Sequence, residues 1–210
     1  DIMERISYKT IQEEAIFEFE VKKSKFIGYF APCSSREEAE DYILKIRNMH
    51  KQATHNVPAF ILRLQDTKWC SDDHEPQGTA GMPILKAMEG EGYTNVVAVV
   101  TRYFGGTLLG TGGLVRAYSD AISGAMSSAK NKVMILSNKI DVNIDYTDLG
   151  KLQYILPKYT HICLDTIYED DVKMKLVLAK DETEKFTKEI TELFSGRVVP
   201  KINEEEFFEF

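Results

Sequence analysis

One stretch constrains this 210-residue chain more than any other: "NVVAVVTRYFGGTLLGTGGLVRAYSDA", at positions 95–121. It opens with an apolar run that is typical of a strand buried on both faces. Five glycines follow within nine residues: Gly105, Gly106, Gly110, Gly112 and Gly113. A helical pattern comes next, with one apolar or small stripe: Leu114, Ala117, Tyr118, Ala121, Ile122 and Ala125. The stretch therefore predicts a buried strand, a glycine-rich turn and a helix that lies close on a sheet.

The glycine-rich turn predicts an anion-binding site. Glycines lack Cβ atoms and tolerate positive φ, so their N–H groups can line a concavity. Thr111 is placed to cap the following helix, whose first N–H groups carry the positive end of the helix dipole. The strand is expected to end near Thr101, so that Arg102 and Tyr103 emerge at its carboxyl edge, while Arg116 reaches back over the site. The spacing fits neither a dinucleotide-binding fingerprint nor a Walker A loop, and it also allows a purely structural tight turn.

A second candidate lies in "SDDHEPQGTAGMP", which begins at position 71. Asp72, Asp73 and Glu75 place three carboxylates within four positions. Oxygen-rich loops of this kind hold hard cations such as magnesium, with waters and a phosphate completing the coordination shell. Two other interpretations stay open: a solvated acidic turn, or an internal salt bridge from Asp72 or Asp73 to Arg102.

Two smaller groups are accessory candidates. Lys25, beside Phe26 in the basic run at 22–25, can neutralise and stack on nucleic acid, although a solvated hairpin edge gives the same pattern. His50 and His55 flank "KQAT", and each can act as a general base or a hydrogen-bond donor, or serve only structure. Their spacing, without a Cys-x-x-Cys motif, disfavours a structural zinc site.

Composition limits the class of protein. With 43% hydrophobic and 28% charged residues, the chain falls in the range of soluble globular proteins. No apolar run approaches the roughly 18–20 residues that span a bilayer, and the N-terminus lacks the apolar core of a signal peptide. The three cysteines are far apart and odd in number. Together these features predict a cytoplasmic protein without a membrane segment.

The net charge of −7 is unevenly distributed. Residues 1–130 carry 15 basic and 17 acidic residues, and residues 131–210 carry 11 and 16. Proteins that track phosphate backbones by bulk attraction are usually basic. Any contact with a polyanion is therefore expected at a local site.

The patterns predict an α+β protein of two domains. Residues 1–130 alternate strands with three helices, the first of them opened by Ser34 or Ser35. Residues 138–210 show an alternating strand, a helix capped by Thr147, a hairpin, an amphipathic helix and a closing strand. This βαββαβ order is that of a ferredoxin-like domain.

These motifs resemble the YigZ/IMPACT family. The acidic loop and the glycine-rich stretch carry the resemblance, together with "KKSKFIGYFAP" and "HKQATHNVPAF", so that it covers most of residues 15–130. The positions that match the family's motifs are Ser24, Lys25, Phe26, His50, His55, Asp72, Asp73, Glu75, Pro76, Gly78, Thr79, Arg102, Tyr103, Phe104, Gly105, Gly106, Gly110, Gly112, Gly113 and Arg116. His74 departs from the family's pattern, in which a glycine is expected.

The resemblance implies a fold and a biological setting. The first domain would be a ribosomal-protein-like α/β sandwich with a left-handed βαβ crossover, and the second would resemble an elongation factor G domain. The family is associated with translation and its regulation. Three functions are therefore carried forward: a regulatory protein that binds RNA, a nucleotide or a translation-associated protein at the glycine-rich site; a magnesium-dependent phosphoryl-transfer or phosphoester-processing enzyme; and a protein-interaction module that docks through residues 139–210.

Overall fold

A computed structural model describes residues 5–210. Residues 1–4, with which the first predicted domain begins, lie outside the described residues. The strands are β1 (Ser7–Ile11), β2 (Ala15–Val21), β3 (Ser24–Pro32), β4 (His55–Leu62), β5 (Thr67–Cys70), β6 (Val96–Tyr103), β7 (Asn131–Ile144), β8 (His161–Tyr168), β9 (Val172–Ala179) and β10 (Lys201–Glu209). The α-helices are α1 (Arg36–Met49), α2 (Gly81–Gly90), α3 (Thr111–Ser128), α4 (Tyr146–Ile155) and α5 (Lys180–Leu193).

The first compact unit, Lys9–Lys132, is built on a sheet of order β2-β3-β6-β4-β5. Each neighbouring pair is antiparallel. Strands β3 and β4 both run antiparallel to β6, so they are parallel to each other, and α1 connects them as the crossover of a βαβ unit. The apolar centre of β6 makes it the middle strand, as its buried run predicts.

Helices cover both faces of this sheet, as a sandwich requires. On one face α1 buries Ala39, Ile43 and Ile46 against β3, β4 and β6. On the other face α2 and α3 pack on the same strands, and the predicted stripe of α3 is buried there. A Cβ atom at Gly28 would lie 2.4 Å from the carbonyl oxygen of Ala121, so glycine on β3 allows the close approach of α3. The glycine-rich segment therefore joins the central strand to a tightly packed helix.

The second compact unit combines Val133–Phe210 with residues 5–8. Its elements follow the βαββαβ order that the sequence predicts, from β7 through α4, β8, β9 and α5 to β10. In its sheet β7 pairs with β1, β9 and β10, and β9 pairs with β8. The buried faces of β7 and β9 enclose a core with Leu152, Phe186 and Ile190 from the helices.

The structure confirms the predicted α+β class with two domains, and it corrects several details. Ser35 caps α1 as expected, and its side chain accepts a hydrogen bond from the backbone N–H of Glu38. Thr147 does not cap α4, because the helix starts one residue earlier, at Tyr146, after Asp145. Strand β7 starts at Asn131, ahead of the alternating strand predicted within residues 138–210. Strands β1 and β5 were not predicted.

Within residues 5–210, no helix has the length and apolar character that a membrane span requires.

Candidate functional site

The acidic loop, residues 71–80, uses its first carboxylate to cap a helix. Asp72 accepts hydrogen bonds from the N–H groups of Gly78 (2.8 Å), Ala80 (3.2 Å) and Gly81 (2.9 Å), at the start of α2. Burial by itself raises the pKa of Asp72, but these three N–H donors outweigh it and lower the pKa below its ordinary value. The negative charge of Asp72 thus stabilises the positive end of the α2 dipole.

Asp73 attaches the acidic loop to its neighbours. Its carboxylate accepts from the backbone N–H of Asn56 at 2.7 Å and pairs with Arg47 at 3.2 Å. His55 Nδ1 lies 2.7 Å from the carbonyl oxygen of Asp73. Both Asp73 and His74 have positive φ, at 45° and 68°. Position 74, where the family pattern has glycine, therefore lies in the left-handed region of φ and ψ. His74 adopts this conformation although its Cβ atom makes it less favourable than for glycine.

Glu75 and Arg102 form a buried ion pair. Glu75 Oε1 lies 2.6 Å from Arg102 Nη1, and the side chains are only 4% and 6% exposed. Tyr118 donates its hydroxyl to the same oxygen at 2.7 Å. Arg102 Nη2 also donates to Ser24 Oγ at 3.4 Å. Burial, and then the bond to Glu75, raise the pKa of Tyr118. The hydrogen bonds compensate for the desolvation of both charges.

The expectation that Arg102 emerges from the sheet is wrong. Strand β6 continues to Tyr103, and Arg102 pairs in register with Phe26 on β3 and His55 on β4. Pairing on both sides fixes the backbone of Arg102 within the sheet, and its side chain is buried against Glu75 and Ser24. The proposed internal salt bridge does form, but with Glu75 rather than with Asp72 or Asp73.

The geometry of the acidic loop does not favour the magnesium interpretation. Asp72 faces the start of α2, Asp73 faces Asn56 and Arg47, and Glu75 is paired with Arg102. No group of three metal-binding side chains is assembled in the part of the chain that the structure describes. Thr79, an accessory candidate, is buried and donates its hydroxyl to the carbonyl of Pro76 at 2.6 Å.

The glycine-rich segment, residues 104–113, follows the end of β6. Gly105 is required there, because a Cβ atom would lie 1.9 Å from the carbonyl oxygen of Lys23. Gly106 and Gly110 have φ of 86° and 78°. Leu108 is 81% exposed, whereas its neighbour Leu109 is buried. The segment is thus fixed at both ends and presents an apolar side chain between them.

Helix α3 begins without a side-chain cap. Gly110 is the N-cap residue, so the prediction that Thr111 caps the helix is wrong; Thr111 is the first helical residue. Gly110 accepts only the first helical bond, from the N–H of Leu114 at 2.9 Å. Within residues 5–210 the N–H groups of Thr111, Gly112 and Gly113 have no hydrogen-bond partner. The side chain of Arg116 is exposed one turn later.

The start of α3 and the buried ion pair line the same pocket, which has a volume of about 400 Å³ and is called the α3 pocket below. Its polar lining consists of Thr54, His55, Glu75, Arg102 and Thr111. Its remaining lining is apolar or glycine, namely Pro76, Phe104, Leu108, Leu109, Gly110 and Leu114. Thus residues from the acidic loop, β4, β6 and the glycine-rich segment line one concavity.

The other accessory candidates lie outside this lining. His50 bridges two tyrosines, with Nε2 2.6 Å from the hydroxyl of Tyr29 and Nδ1 2.7 Å from that of Tyr103. Burial, and then the nearby charge of Lys25, lower the pKa of His50. Lys25 itself pairs with Glu18 at 2.7 Å. This second cluster adjoins the core under α1 and is separate from the α3 pocket.

Sequence reasoning missed Tyr118 and Thr54. Tyr118 was assigned to the packing stripe of α3, although its hydroxyl was the one polar group on that stripe and signalled a buried partner. Thr54 accepts a hydrogen bond from the N–H of Phe104 at 3.0 Å, which joins the ends of two distant segments. Nothing local in the sequence marks that contact.

Comparisons with known proteins agree with the motif resemblance. The Impact N-terminal domain family matches residues 22–126, and a domain of unknown function, DUF1949, matches residues 142–197. The IMPACT family member YvyE of Bacillus subtilis is 35% identical over 192 residues, covering 91% of this chain and 88% of the relative. Protein IMPACT of Oryctolagus cuniculus is 33% identical over 93 residues, covering 42% of this chain and 29% of that protein. A crystal structure of a hypothetical protein superposes with a TM-score of 0.61 at 28% identity, covering 95% of this chain and 98% of the other.

Proposed function

Because this chain belongs to the IMPACT family, we propose that it is a translation-associated regulatory protein that binds RNA or a nucleotide in the α3 pocket. The link to translation rests on the family. The nature of the ligand rests on one observation: α3 starts without a side-chain cap, and its first residue, Thr111, lines a pocket with apolar and charged side chains.

The start of α3 supports binding of phosphate. Three neighbouring N–H groups without acceptors, at the positive end of an 18-residue helix, attract an anion. Gly112 leaves this end of the helix open, because nothing lies within 4 Å of the position that its Cβ would occupy. Arg116 adds an exposed positive charge one turn along. A phosphate is the anion through which a nucleic acid would meet such a site.

The walls of the pocket support binding of a base or sugar next to that phosphate. Phe104 is 46% exposed, and Leu108 is 81% exposed at the same pocket. Exposed aromatic and aliphatic side chains beside an anion site suit a flat base, because a base can stack on them whatever the net charge of the protein. A volume of about 400 Å³ lies within the usual range for small-ligand sites. The acidic net charge of the chain is compatible with such a local site.

The proposal is tested by calorimetric titration with adenosine 5′-monophosphate and with a short ribo-oligonucleotide. The decisive variant is Thr111→Pro, which removes one N–H donor at the first helical position, where proline is tolerated. Gly110 has an extended ψ of 165°, which suits the residue before a proline. A hydrogen bond to a charged group contributes about 1.5–3 kcal/mol, so affinity for both ligands is expected to fall by roughly 10- to 150-fold.

Arg36→Pro is the matched control, since Arg36 is the first residue of α1 and does not line the α3 pocket. It is expected to leave both affinities unchanged. Arg116→Ala should weaken binding two- to threefold at low salt and less at high salt, because its charge is exposed. Equal affinity of Thr111→Pro and the unaltered protein would disprove the phosphate site, and failure of both ligands to bind at millimolar concentration would disprove the proposed function.

A further inference from the structure

The floor of the α3 pocket exposes a carboxylate oxygen that the protein does not use. Glu75 Oε1 receives Arg102 Nη1 and the Tyr118 hydroxyl, whereas Oε2 has no hydrogen-bond partner within residues 5–210. The buried side-chain N and O atoms without a partner in the described chain are Arg102 Nε and Thr187 Oγ1. Since Glu75 Oε2 is not one of them, it retains accessible surface in a residue that lines the pocket. An ionised carboxylate can only accept hydrogen bonds, so this oxygen requires a donor.

His55 presents a second acceptor beside it. The Asp73 carbonyl can only accept, so the contact of 2.7 Å places the proton on His55 Nδ1. When the imidazole is neutral, Nε2 carries a lone pair; it lies 3.5 Å from Glu75 Oε1, a contact that becomes an ion pair when the ring is protonated. Nε2 has no hydrogen-bond partner within residues 5–210, and His55 also lines the pocket. With the ring neutral, His55 and Glu75 therefore place two acceptors in the lining of the same pocket.

Arg102 uses part of its donor capacity within the protein. One N–H of Nη1 donates to Glu75 and one N–H of Nη2 to Ser24, while Nε is buried and has no partner in the described chain. The Thr54 hydroxyl, which can donate or accept, also lines the pocket. Thr111, the first residue of α3, adds a backbone N–H donor. The α3 pocket thus combines the acceptors Glu75 Oε2 and His55 Nε2 with a donor at the helix terminus.

We propose that the α3 pocket selects nucleotides whose base carries an exocyclic amino group, which donates to Glu75 Oε2 and His55 Nε2 while the phosphate binds at the start of α3. This inference rests on the proposed function. An amino group supplies two N–H donors from one atom, as the adjacent acceptors require. A keto oxygen at the same position would face two acceptors and leave both unpaired, which is strongly unfavourable in a buried site.

The test uses pairs of ligands that differ in this group and in the adjacent ring nitrogen, which is an acceptor in the amino form and an N–H donor in the keto form; they are titrated into the full chain at pH 8. Adenosine monophosphate is compared with inosine monophosphate, and cytidine monophosphate with uridine monophosphate. The amino-bearing member of each pair is expected to bind at least tenfold more tightly. Equal affinities within each pair would overturn the inference and leave the proposed function standing. No binding by any of the four would overturn both.

The variant His55→Asn tests whether His55 is responsible for the preference for the amino-bearing ligand. The asparagine amide can still donate to the Asp73 carbonyl, as Nδ1 does, but it lacks an acceptor at the position of Nε2. The preference for the amino-bearing ligand is expected to fall to threefold or less. His74→Asn is the matched control, because His74 is exposed and asparagine tolerates its positive φ; it should retain the full preference. A full preference in His55→Asn would show that His55 does not read the base.

Discussion

Helices α2 and α3 lie on the same face of the first sheet, yet they begin in opposite ways. The start of α2 is closed by Asp72, which accepts hydrogen bonds from three N–H groups. The start of α3 follows Gly110, and in the described chain no side chain accepts from its first N–H groups. The difference suggests a division of roles: the chain supplies its own anion to one helix and leaves the other to a ligand.

The segments that precede α2 and α3 explain this difference between the two helix starts. The acidic loop carries three carboxylates, and each one stabilises the fold through a different partner. The glycine-rich segment carries no acidic residue. Its glycines allow positive φ at Gly106 and Gly110 and a close backbone contact at Gly105. An acidic side chain at the start of α3 would occupy the place of a bound anion. The three predictions that follow test this contrast between a loop whose carboxylates stabilise the fold and a segment that leaves its helix start open, beginning with the largest expected effect.

Glu75→Ala is expected to have the largest effect on stability. It leaves the guanidinium of Arg102 buried without its counter-charge and removes the acceptor of Tyr118. Breaking a buried pair in this way costs about 3–5 kcal/mol in the free energy of unfolding. Urea denaturation measures this cost, with the exposed Glu37→Ala as the control, for which a change within about 0.5 kcal/mol is expected. A cost for Glu75→Ala as small as that of the control would mean that the acidic loop is not structural.

A pair of glycine substitutions tests the backbone at the start of α3. Gly110 has φ 78° and ψ 165°, a region that only glycine adopts readily, so Gly110→Ala should destabilise the protein by about 1–3 kcal/mol. Gly112 lies inside the helix with free space around it, so Gly112→Ala should stabilise the protein by about 0.5–1 kcal/mol. Thermal unfolding distinguishes the two signs. Two changes of the same sign would contradict the conformation assigned to this helix start.

Particular residues show how far the sequence could predict this molecule. The stripe on α3, the central strand and the βαββαβ order were all readable, because each is a local periodicity of apolar residues. That the acidic loop and the glycine-rich stretch lie close together was suggested by their complementary residue types, whereas the place of His55 beside them was not. The observed pairing of Glu75 with Arg102, 27 positions apart, was not, because it depends on the positive φ values at Asp73 and His74 that turn the acidic loop. The burial of Arg102 depends on strands from both sides and has no local signal.

Asp72→Asn is expected to cost no more than Gly110→Ala, and its dependence on pH identifies its cause. At pH 7 the loss of the charged cap at α2 should cost about 1–2 kcal/mol in the free energy of unfolding. The three N–H donors lower the pKa of Asp72 in the folded protein below its ordinary 3.8, so the ionised form contributes stability above that value. This contribution is lost as the pH falls through the lowered pKa. Denaturation at a series of pH values should therefore show a constant difference from the unaltered protein above about pH 5, which shrinks below pH 4.

The exposed Asp41→Asn should show little difference at any pH. A difference for Asp72→Asn that persists undiminished at pH 2 would mean that the side chain acts through its shape and not its charge, and the start of α2 would then be no guide to what the start of α3 binds.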